Sequence, residues 1–534
     1  MGPVGNQVSD IWQAQGFLLL HSPQRSKPPP HPSHSIPAKP SLPVAAMAVS
    51  VEQVLGWFPG IEAISRIRDA SLSAVPGYAG EDRISALQDH LLRDIVFRLP
   101  VKDAARTATL ASRWRHLWRS TPLVLYDAHL LPAGDPARVA AVARILADHP
   151  GPFLTVSITC CDFASHEREL AEWPRVLAAK GVQDLVLINK PADYERLPDV
   201  PADILRCASL RRLFLGFWRF PDTGVSPPGG GADGFPHLRE LSLFGTADML
   251  GRDLDRLLAS SPVLDTLALV HSATCERVHL RSQSLRCVLL WECFVKEVLV
   301  MDSPLLERLI LWKTTDGEDD PVAVRVNIAD APKLRVLGYL EPRVHELQIG
   351  ENIIKPDAMV SSSTVVPSVK TLALKVNFGV FEEVKMLASV LRCFPQVDRL
   401  HIESAKADEP TGMHHAEFWQ EVCPIECVKS HVKKVVIHEF RGKQSEDGFL
   451  EFVSSSAEKL RSLLVVITQE MFASAWDFSI SLPYEVNEVI VKARALMCGA
   501  WACEDCQLVV AGPKVEDGWS FRRVSDPSVK DPFH

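Results

Sequence analysis

From about residue 150 to residue 470 one short hydrophobic template recurs: an apolar residue, two variable ones, an apolar residue, one variable one, an apolar residue. It reads Leu210–Leu213–Leu215, Leu238–Leu241–Leu243, Leu264–Leu267–Leu269, Leu285–Val288–Leu290 and Leu306–Leu309–Leu311. It continues as Leu334–Leu337–Tyr339, Val369–Leu372–Leu374 and Val397–Leu400–Ile402. Weaker copies are Phe153–Val156–Ile158, Val182–Leu185–Leu187, Val432–Val435–Ile437 and Leu460–Leu463–Val465. The middle positions, 185, 213, 241, 267, 288, 309, 337, 372, 400, 435 and 463, stand 21 to 35 residues apart. Side chains alternate along a strand, so the last two apolar residues of each copy face the same way. One such unit cannot bury its apolar face alone, whereas a stack of them forms a parallel-strand solenoid. An ordinary α/β domain with parallel strands is the competing reading, but no Gly-rich phosphate loop follows any of these strands.

Between Asp82 and Trp118 the period is helical instead. Leu87, Leu91, Leu92, Ile95, Val96 and Leu99 fall on one helical face, and Ser85 with Gln88 three residues later fits a capping box. Pro100 ends that helix, because its ring and missing N–H cannot continue the ladder. A second stripe runs Ala104, Thr107, Ala108, Leu110, Ala111, Trp114, Leu117 and Trp118, with a break near Ser112. Arg83 to Arg119 carries eight Lys or Arg against three Asp, a net +5 in a chain whose overall charge is −9.

The flanks read differently. Residues 1–46 are rich in Pro, Ser and His and cannot bury enough apolar surface to order, so they are expected to be disordered. Met47 stands at their end as an alternative start, and 47–81 form a lead-in without clear period. The Pro/Gly stretch 223–234 and the acidic stretch 314–321 read as loops. Residues 431–467 read as strand, turn at Arg441-Gly442, helix, strand, a unit that closes the open edge of a solenoid. The segment 471–534 is expected to be partly disordered, with a frayed polar tail after Asp517.

Composition narrows the chemistry. A chain of 534 residues with 47% hydrophobic and 23% charged residues has the balance of a globular protein. Its acidic net charge argues against general nucleic-acid binding, although Arg/Trp interleaving at 113–118 could mark such a surface. The 12 cysteines are scattered and read as reduced thiols, which places the protein in the cytoplasm or nucleus. The apolar run at Gly16–Leu20 is too short for a membrane span, and no membrane partner is expected. Cys503 and Cys506, with Cys498 nearby, invite a zinc reading, and Cys423, Cys427, His414 and His415 could add ligands. No spacing pairs these groups into a four-ligand site, so no metal and no cofactor are expected. No hydrolase, kinase or metalloprotease motif is present, and no catalytic residue is assigned.

The template resembles leucine-rich repeats, in an irregular form in which most copies lack Asn or Cys at the following turn. The stretch Leu99-Pro100-Val101-Lys102-Asp103-Ala104-Ala105, followed by Arg113-Trp114-Arg115-His116-Leu117-Trp118, resembles the F-box, a three-helix module. Gln88 stands where that family usually has Pro, a substitution tolerable at a first helical turn. Val435, Ile437, Phe440-Arg441-Gly442, Phe449 to Val453 and Leu460 to Ile467 resemble the FBD module of plant F-box proteins.

The resemblance implies an α/β protein: a small N-terminal three-helix F-box at 82–122, then an irregular leucine-rich-repeat solenoid at 150–425. Parallel strands would line its inner face and helices its outer face, with an FBD-like module at 426–470 continuing the stack. It further implies a non-catalytic substrate-recognition subunit of a ubiquitin ligase. The F-box would bind a Skp-type adaptor, and through it cullin and RING subunits, by way of Leu87, Leu91, Ile95, Leu99, Pro100, Val101, Arg113, Trp114 and Trp118. The repeats would bind a target protein. Two alternatives stand beside it: an interaction scaffold without ligase linkage, in which the helices merely cap the solenoid, and a small-molecule sensor with a pocket in the concave face.

Overall fold

The computed structural model describes residues 83–533 except 85, 131–133, 192–195, 202, 205–206, 221–233, 273–274, 315–322, 358–360, 407–413, 474–483, 496–500, 504–505 and 513–520. The expected disordered head, the lead-in and nearly all of the two loops therefore lie outside the described residues.

Three helices open the described chain: α1 (Asp89–Arg98), α2 (Val101–Thr107) and α3 (Ser112–Ser120). Pro100 separates the first two as its chemistry requires. The helix starts at Asp89, its cap residue is Gln88, and the Gln88 side chain makes no capping bond. Ser85 of the expected capping box lies outside the described residues. Both α1 and α2 pack against the strand Leu123–Tyr126, which begins the sheet.

That sheet has fourteen strands, and every strand pairs parallel to its neighbours. The repeat template is its register. Leu185 pairs with Leu213, Leu213 with Leu241, Leu241 with Leu267 and Leu267 with Val288. The row continues through Leu309, Leu337, Leu372, Leu400 and Val435 to Leu463. Leu125 and Val156 extend it at one end and Leu508 at the other. Each middle position is buried, so one unbroken apolar seam runs the length of the stack.

The copy at 334–339 is shifted. A register irregularity between Leu337 and Leu340 brings Leu340, not Tyr339, opposite Leu374. Tyr339 turns to the other face of the sheet, where its ring meets Trp312 at 4.7 Å. Gly338 makes this close passage possible: at φ 143°, a Cβ would lie 2.4 Å from the Ala373 carbonyl oxygen.

Helices cover the outer face at both ends of the stack, as Asp135–Asp148, Glu167–Ala179, Gly251–Ala259, Phe381–Cys393 and Gln444–Ser456. In the middle the outer layer differs from the expected helices. There a second sheet runs through Arg277–Leu280, Glu297–Val300, Val324–Ile328 and His345–Ile349, all parallel, with Asn352–Ile353 antiparallel at its edge. Spacing accounts for the first two of these strands: positions 267, 288 and 309 are 21 residues apart, which leaves a short return strand but little length for a helical crossover of a dozen or more residues. Val324–Ile328 and His345–Ile349 lie in longer gaps and continue the sheet that those two begin.

Five successive strands of the main sheet close on a left-handed turn residue. Phe217, Gly245, His271, Glu292 and Lys313 all have φ between 47° and 59°, and each follows the last residue of its strand. Side chains laced along this column include His271 Nδ1 with Glu292 Oε2 at 3.0 Å and Lys313 Nζ with Glu292 Oε1 at 3.1 Å.

Parts of the C-terminal segment 471–534 lie among the described residues. Gln507–Ala511 adds the last strand beside Ser462–Ile467. After it, the short helix Phe521–Ser525 and the chain to Phe533 lie against the inner face of the sheet, where Phe521, Val524 and Phe533 are buried. A tail frayed from Asp517 onward is thus corrected from residue 521: its few apolar residues are spaced to meet apolar positions of the sheet.

Candidate adaptor-docking surface

The helix α1 carries two apolar lines rather than one face. Leu92 and Val96 are fully buried and hold the module together. Leu87, Leu91, Ile95 and Leu99 recur every fourth residue and form a second line one residue, or about 100°, around the helix. Leu91 is 43% exposed, and Leu87, Ile95, Leu99 and Pro100 are half-buried. This line and the Leu99-Pro100 turn form a continuous, partly exposed apolar strip.

Two of the residues expected in the docking surface lie inside the module. Val101 is 3% exposed and Trp114 is 4% exposed, because both point from their helices into the core formed with Leu92, Val96 and Leu117. They shape the module and present no surface in this state. Trp118 is half-buried and leans on the solenoid, its ring 4.7 Å from that of His149, which in turn lies 5.2 Å from Phe153. The two tryptophans share a helical side, and that side faces inward. Burial, reinforced by the neighbouring Lys180 ammonium, pushes the His149 imidazole down to about 4.

Two exposed apolar residues were not singled out from the sequence: Ile84, 57% exposed, and Leu110, 66% exposed. Leu110 belongs to the second hydrophobic stripe, but the turn between α2 and α3 rotates it out of that stripe. The break expected near Ser112 was the available signal.

Arg113 is exposed and engaged. Its guanidinium donates to Asp89 Oδ1 at 2.6 Å and to the Leu87 carbonyl at 2.7 Å. The Arg113 hydrogen bond holds the Asp89 carboxyl below the usual carboxylate range. The other two aspartates of the module are also paired, Asp94 with Arg98 and Asp103 with Arg106. The net positive charge therefore rests on Arg83, Arg93, Lys102, Arg115 and Arg119.

At the far end of the stack, Glu446 organises the Arg441-Gly442 turn. Its buried carboxylate accepts the Lys443 N–H at 2.8 Å, the Arg441 N–H at 3.1 Å and the Ser404 hydroxyl. Arg441 returns its guanidinium to the carbonyls of Ser404 and Glu439, both at 2.8 Å. Burial outweighs these bonds and raises the Glu446 carboxyl. Gly442 has φ 67°, and a Cβ there would lie 2.9 Å from a Val489 methyl group. Phe440, Phe449, Leu450 and Val453 fill the core behind this turn.

Three family models match this chain: an F-box domain at residues 84–126, the LRR repeats of FBD-associated F-box protein At5g56370 at 170–402, and FBD at 420–464. The chain carries an F-box, leucine-rich repeats and an FBD domain. Among its relatives in Arabidopsis thaliana, F-box/LRR-repeat protein At3g26922 is 27% identical over 239 residues, 45% of this chain and 69% of the relative. F-box/FBD/LRR-repeat protein At5g22660 is 27% identical over 264 residues, 48% of this chain and 51% of the relative. F-box/FBD/LRR-repeat protein At5g56420 is 26% identical over 310 residues, 55% of this chain and 65% of the relative. The matched regions thus span about half to two thirds of these F-box/LRR relatives.

Among the described residues of this F-box/FBD/LRR chain, no group of three or more His, Cys, Asp or Glu is placed to hold a metal ion. Cys503 and Cys506 are half-buried, and burial raises the Cys506 thiol to about 11. Cys498, and the side chains of His414 and His415, lie outside the described residues. No described helix is long and apolar enough to cross a membrane.

Proposed function

We propose that this chain is the substrate-recognition subunit of an SCF-type ubiquitin ligase, acting in the cytoplasm or nucleus and catalysing nothing itself. Its F-box would bind a Skp-type adaptor, and through it the cullin and RING subunits, while the repeats bind a target protein. The observation that carries this reading is the apolar strip of the F-box. Leu91, Ile84 and Leu110 are exposed on a small module whose core is already closed against the first strand of the solenoid. Large apolar side chains in such a position, with basic residues around them, suit an interface with an acidic partner. The module also stands at one end of a long solenoid, so the opposite end and the inner face stay clear of the adaptor.

The alternative is a scaffold that uses the same repeats without ligase linkage. The strip separates the two: titration of the purified full chain with a Skp-type adaptor should give saturable binding that Leu91→Asp abolishes. Absence of binding by folded wild-type protein would leave the scaffold.

A further inference from the structure

The two faces of the main sheet have different occupants. Leu213 and Leu215 point into the outer core, while Phe214 between them points to the inner face. On that inner face lies a separate apolar cluster, including Phe214, Leu289, Ile310 and Tyr339, and the C-terminal segment covers it.

The contacts are specific. Phe521 meets Phe214 edge-on at 6.2 Å, and Phe533 meets Tyr339 edge-on at 5.1 Å. Between these anchors Arg308, itself 5% exposed, donates to the carbonyls of Val524 at 2.6 Å and Val529 at 2.5 Å. At the far end Asp531 sits between Lys434 Nζ at 2.8 Å and His401 Nε2 at 2.9 Å. The segment thus bridges from the strand Arg212–Gly216 to the strand Lys434–Phe440, nine strands in sheet order.

Two features separate this from ordinary core packing. Arg308 spends a buried guanidinium on main-chain carbonyls, a bonding mode that any peptide of suitable course can satisfy. The segment contributes no strand to the sheet, so its removal breaks no ladder hydrogen bond. It follows the last strand after residues 513–520 in sequence, and it holds the face through two aromatic rings, one valine, one carboxylate and the carbonyls that Arg308 binds.

We propose that the inner face of the solenoid is a peptide-binding groove occupied in cis by residues 521–533, and that a partner segment of the same chemistry displaces it. That segment would carry an aromatic residue with an aliphatic one three positions on, and further along a carboxylate two residues before a second aromatic ring. This deepens the reading that the repeats receive a target: the target must compete with the chain's own tail, so the tail sets the threshold for engagement. Tethering gives the tail a high effective concentration, so a free segment of equal intrinsic affinity binds the intact chain poorly.

The test uses the full chain with a protease recognition sequence replacing residues 513–519, cleaved after folding and freed of its tail by gel filtration. A fluorescent synthetic peptide of residues 519–534 is then titrated by anisotropy. Saturable binding to the cleaved protein is expected, at least tenfold weaker to the uncleaved protein. Arg308→Ala in the protein and Phe533→Ala in the peptide should each weaken it at least tenfold. No saturable binding to folded cleaved protein, equal binding before and after cleavage, or indifference to both substitutions would overturn the proposal. Should cleavage unfold the chain, hydrogen exchange on the intact wild type decides. Amides of 521–533 should exchange at least a hundredfold faster than those of Arg308–Trp312, and joint exchange with that strand would make the tail a fixed part of the fold. Both readouts are independent of adaptor binding, so failure of the ligase reading leaves this result standing.

Discussion

Arg113 on α3 reaches back 24 residues to Asp89 at the start of α1, Nη2 to Oδ1 2.6 Å, and closes the same clamp on the Leu87 carbonyl. The guanidinium is therefore a brace between two helices, with its charge already answered by a carboxylate. In the proposed complex, electrostatic steering of an acidic adaptor would fall instead to Arg83, Arg93, Lys102, Arg115 and Arg119. Stopped-flow association measured against ionic strength should show little change of salt dependence when the pair is removed together, Arg113→Ala with Asp89→Ala, and a reduced one in Lys102→Ala with Arg115→Ala. A flatter salt dependence in the first double variant than in the second would reverse this assignment.

Within the apolar strip, Leu91, Leu99 and Pro100 are partly exposed while Trp114 is interior. Leu99→Ala and Pro100→Ala should each weaken adaptor binding by more than about tenfold, on the order of 1.4 kcal/mol, with the module still folded. Leu91→Ala should act likewise. Trp114→Ala should instead unfold the module, since it removes a buried aromatic from a core of only a few large side chains. Titration paired with circular dichroism separates the two outcomes. If folded Leu91→Ala, Leu99→Ala and Pro100→Ala all bind like wild type, the docking surface lies elsewhere.

Much of the fold was readable because strand alternation and stacking leave a one-dimensional trace: the recurring middle leucine is the residue that pairs across every strand. What escaped was set by geometry in three dimensions. Tyr339 occupies a template position, but the local irregularity at Gly338 sends it to the other face. Trp114 and Val101 look like anchors in a one-dimensional motif, and only helix orientation shows that they point inward. The docked tail was illegible for the same reason, since Phe521, Val524 and Phe533 form no period and find their partners more than a hundred residues away.

The register itself can be challenged at Leu241, fully buried between Leu213 and Leu267. Leu241→Asp puts a carboxylate into the seam with no donor built to receive it, a lesion expected to cost more than about 4 kcal/mol. The exposed neighbour Arg239 provides the control: Arg239→Ala should melt within a few degrees of wild type. Wild-type thermal stability in Leu241→Asp would refute the repeat register.

Metal dependence makes a further distinction at Cys503 and Cys506. A strong chelator should leave the melting temperature unchanged, because among the described residues no further ligands are grouped with Cys503 and Cys506. A drop of many degrees, restored by zinc, would establish a structural metal site there.

The junction between F-box and solenoid should be acid-sensitive through His149. Its ring is 1% exposed between Trp118 and Phe153, and its backbone carbonyl accepts from the Lys180 ammonium. In the folded chain it titrates at about 4, against an ordinary value of 6.5. Between those two values the unfolded chain binds a proton that the folded chain refuses, so stability rises with pH across that window and falls on acidification. Full expression of the shift would be worth about 1.4 kcal/mol per pH unit crossed. His149→Phe keeps an aromatic ring in the stack and removes the titration. Other buried imidazoles such as His345, pushed down to about 3, are common to both proteins and cancel in the comparison. Melting temperatures taken from pH 7.5 to pH 4.5 should therefore fall more steeply for wild type than for His149→Phe, with a constant offset above pH 7. Parallel curves over the whole range would show that the folded junction takes up the His149 proton as readily as the unfolded chain, and the downward shift assigned here would be wrong.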